Sequence, residues 1–257
     1  MKSEPQQTAK FAPAYIGKAA PPISIGLPVY NGERYLQRCL RSVVSQSMTD
    51  FELVIADNCS TDSTEEICRE LARQDPRVRY LRRDRNVGLI QNHNRLVWET
   101  NGELMAYVAA DDEYCPLRLE RLAQSLGSSP NAILAFSDVT EIDEKGAAIG
   151  SWHNECRTDH PVPGVRLYEL YAKPHYAYQF FGLIRKKVLI RTMLHSPLLC
   201  GDRILLAELA LNGPFVAVPE ELLLHRTHRQ QTNRNVDTRE YYKANSTRPV
   251  RIVLPNV

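Results

Sequence analysis

Leu104 to Pro116 reads LMAYVAADDEYCP. The apolar run Leu104 to Ala110 stops abruptly at two adjacent carboxylates, Asp111 and Asp112. Its length, with aromatic and β-branched members, predicts a buried strand rather than a helix. Acids at the carboxyl end of a buried strand lie where open α/β sheets bind ligands. Paired carboxylates there suit a divalent cation, because hard cations take oxygen ligands and share them with substrate phosphates. A turn that merely uses Asp chemistry is the simpler account of the pair taken alone. The surrounding chain has to decide between them.

Upstream, Ile23 to Tyr30 (ISIGLPVY) reads as a first buried strand, broken by Asn31-Gly32. Leu36, Leu40, Val43 and Val44 recur at helical spacing over Glu33 to Ser47, with Arg34, Arg38 and Arg41 on the other face. Phe51 to Ala56 (FELVIA) is a second strand, ending in Asp57-Asn58-Cys59-Ser60-Thr61-Asp62. Ser63-x-x-Glu66 has the form of a capping box and opens a helix to Gln74. Arg79-Tyr80-Leu81 is a short strand, and Asn86-Val87-Gly88-Leu89 turns into a helix through Trp98, stopped by Asn101-Gly102. Strands and helices alternating with short connections call for an α/β fold, Rossmann-like, with a mostly parallel central sheet and helices on both faces. Function is then expected at the strand ends: Pro28 to Asn31, Asp57 to Asp62, Asn86 to Gly88, and Asp111-Asp112.

Downstream, Pro116 to Leu126 reads as a helix with Leu117, Leu119, Leu122 and Leu126 inward, and Asn131 to Asp138 as a strand. Val139 to Gly150 is polar and hairpin-like, and Trp152 to Lys173 reads as a loop plus a short helix able to shape an acceptor pocket. Tyr168, Tyr171, Tyr176, Tyr178, Phe180 and Phe181 cluster; aromatic platforms suit sugar rings, though core packing explains such clusters more often. Phe181 to Ile184 leads into a helix over Arg185 to Leu194. Asp202 is a natural N-cap for the helix Ile204 to Leu211. Phe215 to Pro219 and Glu221 to His225 read as the last strands, giving way to the basic stretch His225 to Asn235.

The 257 residues, 43% hydrophobic and 24% charged, suit an ordinary globular α/β protein with a real core. A net charge of +2 makes no case for nucleic acid. Six scattered cysteines without CxxC spacing argue against a zinc site and for reduced thiols in the cytoplasm. The first 22 residues lack the apolar core of a signal peptide, and no run approaches a membrane span. Neither GxGxxG nor GxxxxGK[ST] is present, which disfavours a dinucleotide site or a P-loop. Taken singly, Asp57 and Asp62 are explained by an Asx turn and a helix cap.

Together these pieces resemble the opening of the family 2 glycosyltransferases, which have the GT-A fold. The matching residues are Pro28-Val29-Tyr30-Asn31, Ser45-Gln46-Ser47, Glu52 to Asp62, Asn86-x-Gly88 with Asn94, and Ala109-Ala110-Asp111-Asp112, in the same order over about residues 23 to 125. The resemblance implies a nucleotide-sugar site formed by Pro28, Tyr30, Asn31, Asp57, Asn86 and Asp111. It implies a metal, Mn2+ or Mg2+, held on the diphosphate by Asp112, with His228 of an Arg226-x-His228 motif brought over it. The earlier Asp of the common metal motif is Ala109 here. Relatives also carry Glu-Asp at the start of a late helix as general base; Gly201 replaces the first acid and Asp202 keeps the second.

The resemblance therefore implies an inverting, metal-dependent transfer of a sugar from a nucleoside diphosphate donor, UDP first, to a hydroxyl acceptor. That acceptor is a glycan, a lipid-linked saccharide or a small molecule, as in glycan or polysaccharide biosynthesis. A nucleotidyltransferase and a non-catalytic sugar-nucleotide-binding relative remain open alternatives. The expected division is a leader at 1–22, a nucleotide-sugar half at 23–112, an acceptor and catalytic half at 113–235 and a tail at 236–257. The expected location is the cytoplasm, with attachment to the inner face of the membrane left open.

Overall fold

The computed structural model describes residues 22–173, 176–198 and 200–228. The expected leader up to residue 21, the tail 236–257 and the end of the basic stretch lie outside the described residues. The first half alternates as read: β1 (Ile23–Val29), α1 (Glu33–Val44), β2 (Phe51–Asp57), α2 (Thr64–Gln74), β3 (Val78–Arg82), α3 (Leu89–Glu99) and β4 (Leu104–Tyr107). The second half adds β5 (Glu113–Tyr114), α4 (Arg118–Ser128), β6 (Leu134–Ile142), β7 (Ala148–Trp152), α5 (Pro163–Ala172), β8 (Leu183–Arg185), α6 (Lys186–Leu189), α7 (Gly201–Asn212) and β9 (Phe215–Arg226).

These strands form one sheet in the order β3-β2-β1-β4-β8-β6-β9-β5, with β7 paired to β6. β1, β2, β3, β4, β6 and β9 share one direction, and β5, β7 and β8 run against them. The mostly parallel sheet expected from the alternation is therefore present. Every residue of β1 and β2 is buried, as strands covered on both faces must be. Ile23, Ile25, Leu27, Leu53 and Ile55 pack with Leu36, Cys39, Leu40 and Val43 of α1 and with Leu119, Leu122 and Leu126 of α4. On the other face Val54, Ala56, Met105 and Tyr107 meet Leu96 and Val97 of α3 and Leu205, Leu206 and Leu209 of α7.

Several boundaries differ from the sequence reading, each for a local reason. β4 stops at Tyr107, because Val108 makes the last bond to Gly26 and Asp112 N–H then closes a turn on the Ala109 carbonyl. α4 starts at Arg118, with Leu117 exposed rather than inward. The expected helix Arg185 to Leu194 shrinks to Lys186–Leu189, Arg185 being the last residue of β8. The two expected last strands are one, β9, whose register against β6 slips where Pro219 has no N–H to give. The capping box at Ser63 is absent. Asp62 caps instead, accepting the Thr64 N–H at 3.0 Å and the Glu33 N–H at 3.1 Å, while Glu33 accepts from Ser63 N–H at 2.9 Å. α1 and α2 thereby cap each other.

Candidate active site

The six co-directional strands end on one edge, and the connections bring the chemistry there. Asp111 and Asp112 follow β4, and His228 follows β9. α7 leads back into β9, so its N-terminus with Asp202 faces the same edge. The 3₁₀ turn Tyr178–Phe181 precedes β8, which runs the opposite way, so the turn also lies on this edge. Five non-glycine residues, Asn31, Cys59, Ala177, Leu194 and Cys200, have left-handed backbone among the described residues. All five sit in the loops serving this edge. Such conformations cost energy and gather at functional sites.

At the β1–β3 side, the predicted nucleotide residues build a loop scaffold. Asn31 donates its N–H to Ser60 Oγ at 2.9 Å and accepts from Thr61 N–H at 2.9 Å. Asn86 accepts from Asn58 Nδ2 at 2.8 Å and from Gly88 N–H at 2.9 Å. Pro28 is buried in β1, whereas Tyr30 is half exposed at its end. Asp57 differs most from expectation. It is fully buried, one oxygen accepting from Ser60 N–H (2.9 Å) and Oγ (2.6 Å), the other from Tyr80 Oη (2.6 Å) and Arg82 Nη1 (2.9 Å). A carboxylate has about four acceptor sites, and the protein takes all of them. Asp57 thus fixes the loop, and touching a base requires it to release Tyr80 or Arg82.

The two carboxylates after β4 are divided. Asp112 is fully buried and accepts from Arg226 N–H at 2.9 Å and from His225 Nδ1 at 3.0 Å. Burial opposes a charged His225, but the Asp112 carboxylate outweighs it and lifts the imidazole above its ordinary value. Asp111 keeps 27% of its side chain exposed and meets His228 Nε2 at 2.9 Å. Burial and the adjacent Asp112 charge raise its pKa, against the hydrogen bond from His228. The expected metal ligands are Asp112 and His228, and the hydrogen bond of His228 runs to the neighbouring Asp111. His228 joins Asp111, because the backbone of Arg226 and the ring of His225 already take Asp112.

Arg226, the first residue of the Arg226-x-His228 motif, turns into the protein. It is fully buried, its Nε on the Asp111 carbonyl at 3.0 Å, its Nη1 on the Asp143 carbonyl at 2.8 Å and its Nη2 paired with Glu113. Its guanidinium lies 4.9 Å from the Tyr35 ring, which in turn stands 5.1 Å from His228. Gln46 of the Ser-Gln-Ser motif braces the same turn from α1, donating to the Cys115 carbonyl at 2.8 Å and accepting from Leu119 N–H at 3.1 Å.

Asp202 lies within the first turn of α7, and the cap position is Cys200 with φ 59°. One Asp202 oxygen accepts from Arg203 N–H at 2.8 Å, and among the described residues no hydrogen bond takes the other. Gly201 has a steric reason to replace an acid: a Cβ there would stand 2.1 Å from the Ser196 carbonyl oxygen. The preceding loop is tied to α3 by Asn94, which donates to the His195 carbonyl at 2.9 Å and accepts its N–H at 3.0 Å.

Behind that loop His93 and His195 pack with Phe180, which stacks on Tyr107 at 5.2 Å. Burial lowers His93 to about 3 and His195 to about 4. Unfolded histidines titrate near 6.5, so between these values the unfolded chain binds more protons and stability rises with pH. The stability is full above about pH 6.5 and is lost as pH falls toward 4, on the order of 2 kcal/mol per pH unit. Chemical denaturation between pH 4 and 7 checks this, and His93→Phe should remove about half of the slope.

Sequence reasoning missed His225 as the partner of Asp112, Tyr35 beside His228, and the pair His93–His195. Only chain topology joins these residues, and no spacing signals them.

A mostly parallel sheet with acids gathered on its carboxyl edge is the architecture of the GT-A glycosyltransferases. TarS of S. aureus in complex with UDP-GlcNAc has a TM-score of 0.68 at 16% identity, over 86% of this chain and 64% of that chain. Mannosyltransferase PcManGT from Pyrobaculum calidifontis, in complex with GDP-Man and Mn2+, has a TM-score of 0.60 at 14% identity, over 85% and 59% of the two chains. The sequence is 30% identical to the chondroitin synthase of Escherichia coli over 137 residues, 53% of this chain and 20% of that protein. Among curated relatives that it matches, the chain spans between 13% and 56% of their length. Residues 24–192 match the profile of Glycosyl transferase family 2, and the chain belongs to that family.

Proposed function

We propose that this chain transfers a sugar, with inversion, from a nucleoside diphosphate donor to a hydroxyl acceptor in polysaccharide or glycan assembly. The observation that carries this reading is the placement of the partly exposed Asp111–His228 pair and of Asp202 on one edge of the sheet. UDP is the favoured nucleotide, supported by the UDP-GlcNAc complex of TarS and by the resemblance of Pro28 to Asn31 and Asp57 to a nucleotide-sugar site.

The residues fit a divalent cation in part. Among the described residues no group of three or more His, Cys, Asp or Glu is arranged to hold one. Asp111 and His228 offer an oxygen and an imidazole, donors that manganese accepts, and a diphosphate and water would complete the set. Bound there, Mn2+ or Mg2+ supplies Lewis acidity to the departing diphosphate. Asp112, held by His225 and Arg226, keeps the turn that presents Asp111. Tyr30 offers its exposed ring to the base, and Asn31, Asn86 and Asp57 hold the loops around it. Asp202 takes the proton from the acceptor hydroxyl as that oxygen attacks the sugar carbon and the bond to the diphosphate breaks. A single base without a second nucleophile suits inversion.

Asp111→Asn should weaken UDP binding in manganese by about 10- to 100-fold and remove the difference between manganese and EDTA. Calorimetry reads both. An undiminished manganese effect in this variant would overturn the assignment of Asp111.

A further inference from the structure

Among the described residues, the buried side-chain polar atoms with no hydrogen-bond partner are Tyr35 Oη, Nε of Arg118 and Arg121, both amide atoms of Gln179, and His195 Nδ1. The two arginines are otherwise accounted for: Arg118 donates through its Nη atoms to Ser137 and to the Phe181 carbonyl, and Arg121 Nε itself stands 3.4 Å from a Glu220 carboxylate oxygen as an ion pair. Tyr35, Gln179 and His195 remain, and all three belong to the carboxyl edge of the sheet. Buried polar groups are almost always satisfied, and an unmet one costs the full desolvation of the group. Gln179 is the extreme case, 0% exposed with neither half of its amide paired.

Position along the edge separates their roles. The sheet order runs β3-β2-β1-β4-β8-β6. The proposed base loops close β1 to β3, and the proposed diphosphate pair follows β4. The next ground, toward β8 and the start of α7, is where the transferred sugar must lie to reach Asp202. Gln179 occupies the turn leading into β8, between Tyr178, whose ring stands 5.0 Å from His225, and Phe180, stacked on Tyr107. His195 lies 5.3 Å from Phe180 by ring centroids and against Gly201, beside Asp202. Resting on the proposed donor site, we infer that Gln179 and His195 form the wall that reads the hydroxyl groups of the transferred sugar. An amide can both donate and accept, and a neutral imidazole nitrogen adds one further bond, which matches hydroxyls on a pyranose. Gln179 is enclosed in the free chain, so donor binding draws its amide out by a side-chain rotation. A site built to bond a hydroxyl discriminates strongly, because its polar groups go unmet with the wrong sugar.

The test is calorimetry of the full chain with manganese and UDP, UDP-glucose, UDP-galactose, UDP-GlcNAc and UDP-GalNAc, together with thermal melts. Gln179→Leu and Gln179→Met should raise the melting temperature, since each replaces an unmet amide with an apolar chain of similar size. Each should leave UDP affinity unchanged and weaken the best UDP-sugar about tenfold, with His195→Phe doing the same to a different member of the panel or to a deoxy-sugar analogue. Wild type that prefers one UDP-sugar, with all three variants keeping the same preference, would overturn the wall and leave the proposed function standing. Lower melting temperatures in both Gln179 variants would show that the amide is satisfied, and would also overturn it. Wild type that binds neither UDP nor any UDP-sugar would overturn the proposed function, and the wall with it.

Discussion

Asp202→Asn is expected to slow sugar transfer by about 10²- to 10⁴-fold while leaving donor affinity unchanged. The substitution keeps the shape and the acceptor oxygen that meets Arg203 N–H at 2.8 Å, so α7 should start as before. What it removes is the basic oxygen that takes the acceptor proton. The nearby geometry supports this separation of effects: Gly201 is pressed on the Ser196 carbonyl, and Asn94 pins the loop from α3, so the N-terminus of α7 does not depend on the charge. Initial rates against a hydroxyl acceptor, paired with calorimetric binding of the donor, give the comparison. Equal rates in the variant and the wild type would remove Asp202 from the mechanism, and a sample binding donor with no turnover in either would favour a binding module.

Arg226→Met should cost about 3–5 kcal/mol of stability, the penalty of breaking a buried ion pair from one side. For a chain of this size that corresponds to a fall in melting temperature on the order of 10 °C. The guanidinium is fully buried and joins the Asp111 carbonyl, the Asp143 carbonyl and Glu113 while lying over Tyr35. Its loss leaves two carbonyls and a carboxylate unmet at the turn that presents Asp111. UDP affinity in manganese should therefore fall along with stability, through the turn that Arg226 braces from its buried position. Arg226→Lys should recover little, because an ammonium cannot reach three partners in one plane. An unchanged melting temperature would mean that the turn holds itself.

The first half of the fold was legible because its strands are buried on both faces and its helices carry one apolar stripe. Ile23–Val29 and Phe51–Asp57 are near-continuous apolar runs, and Leu36, Cys39, Leu40 and Val43 mark the inward face of α1. The second half was less legible. Its strands run in both directions, and β8 has only Leu183–Arg185 to signal it. The bend in β9 hid the fact that two short apolar runs are one strand.

At the candidate site the sequence named residue types well and partners poorly. The Asp111-Asp112 pair stood out, yet which carboxylate turns inward depends on His225 and Arg226, more than a hundred residues away. The resemblance makes Asp57 a base contact, whereas Ser60, Tyr80 and Arg82 surround its carboxylate. Gln179 and His195 carried no signal, since a lone glutamine among aromatics reads as packing and a lone histidine in the Met193 to Pro197 loop has no motif around it.

The most direct test of the central claim is calorimetric titration of the full chain with UDP, GDP and dTDP, each in manganese and again in EDTA. Binding of UDP in manganese that weakens in EDTA is the predicted result, as expected of a site that holds a nucleoside diphosphate together with a cation. No binding of any of the three to a folded sample would contradict the nucleotide-sugar reading and return Asp111-Asp112 to the role of a well-braced turn.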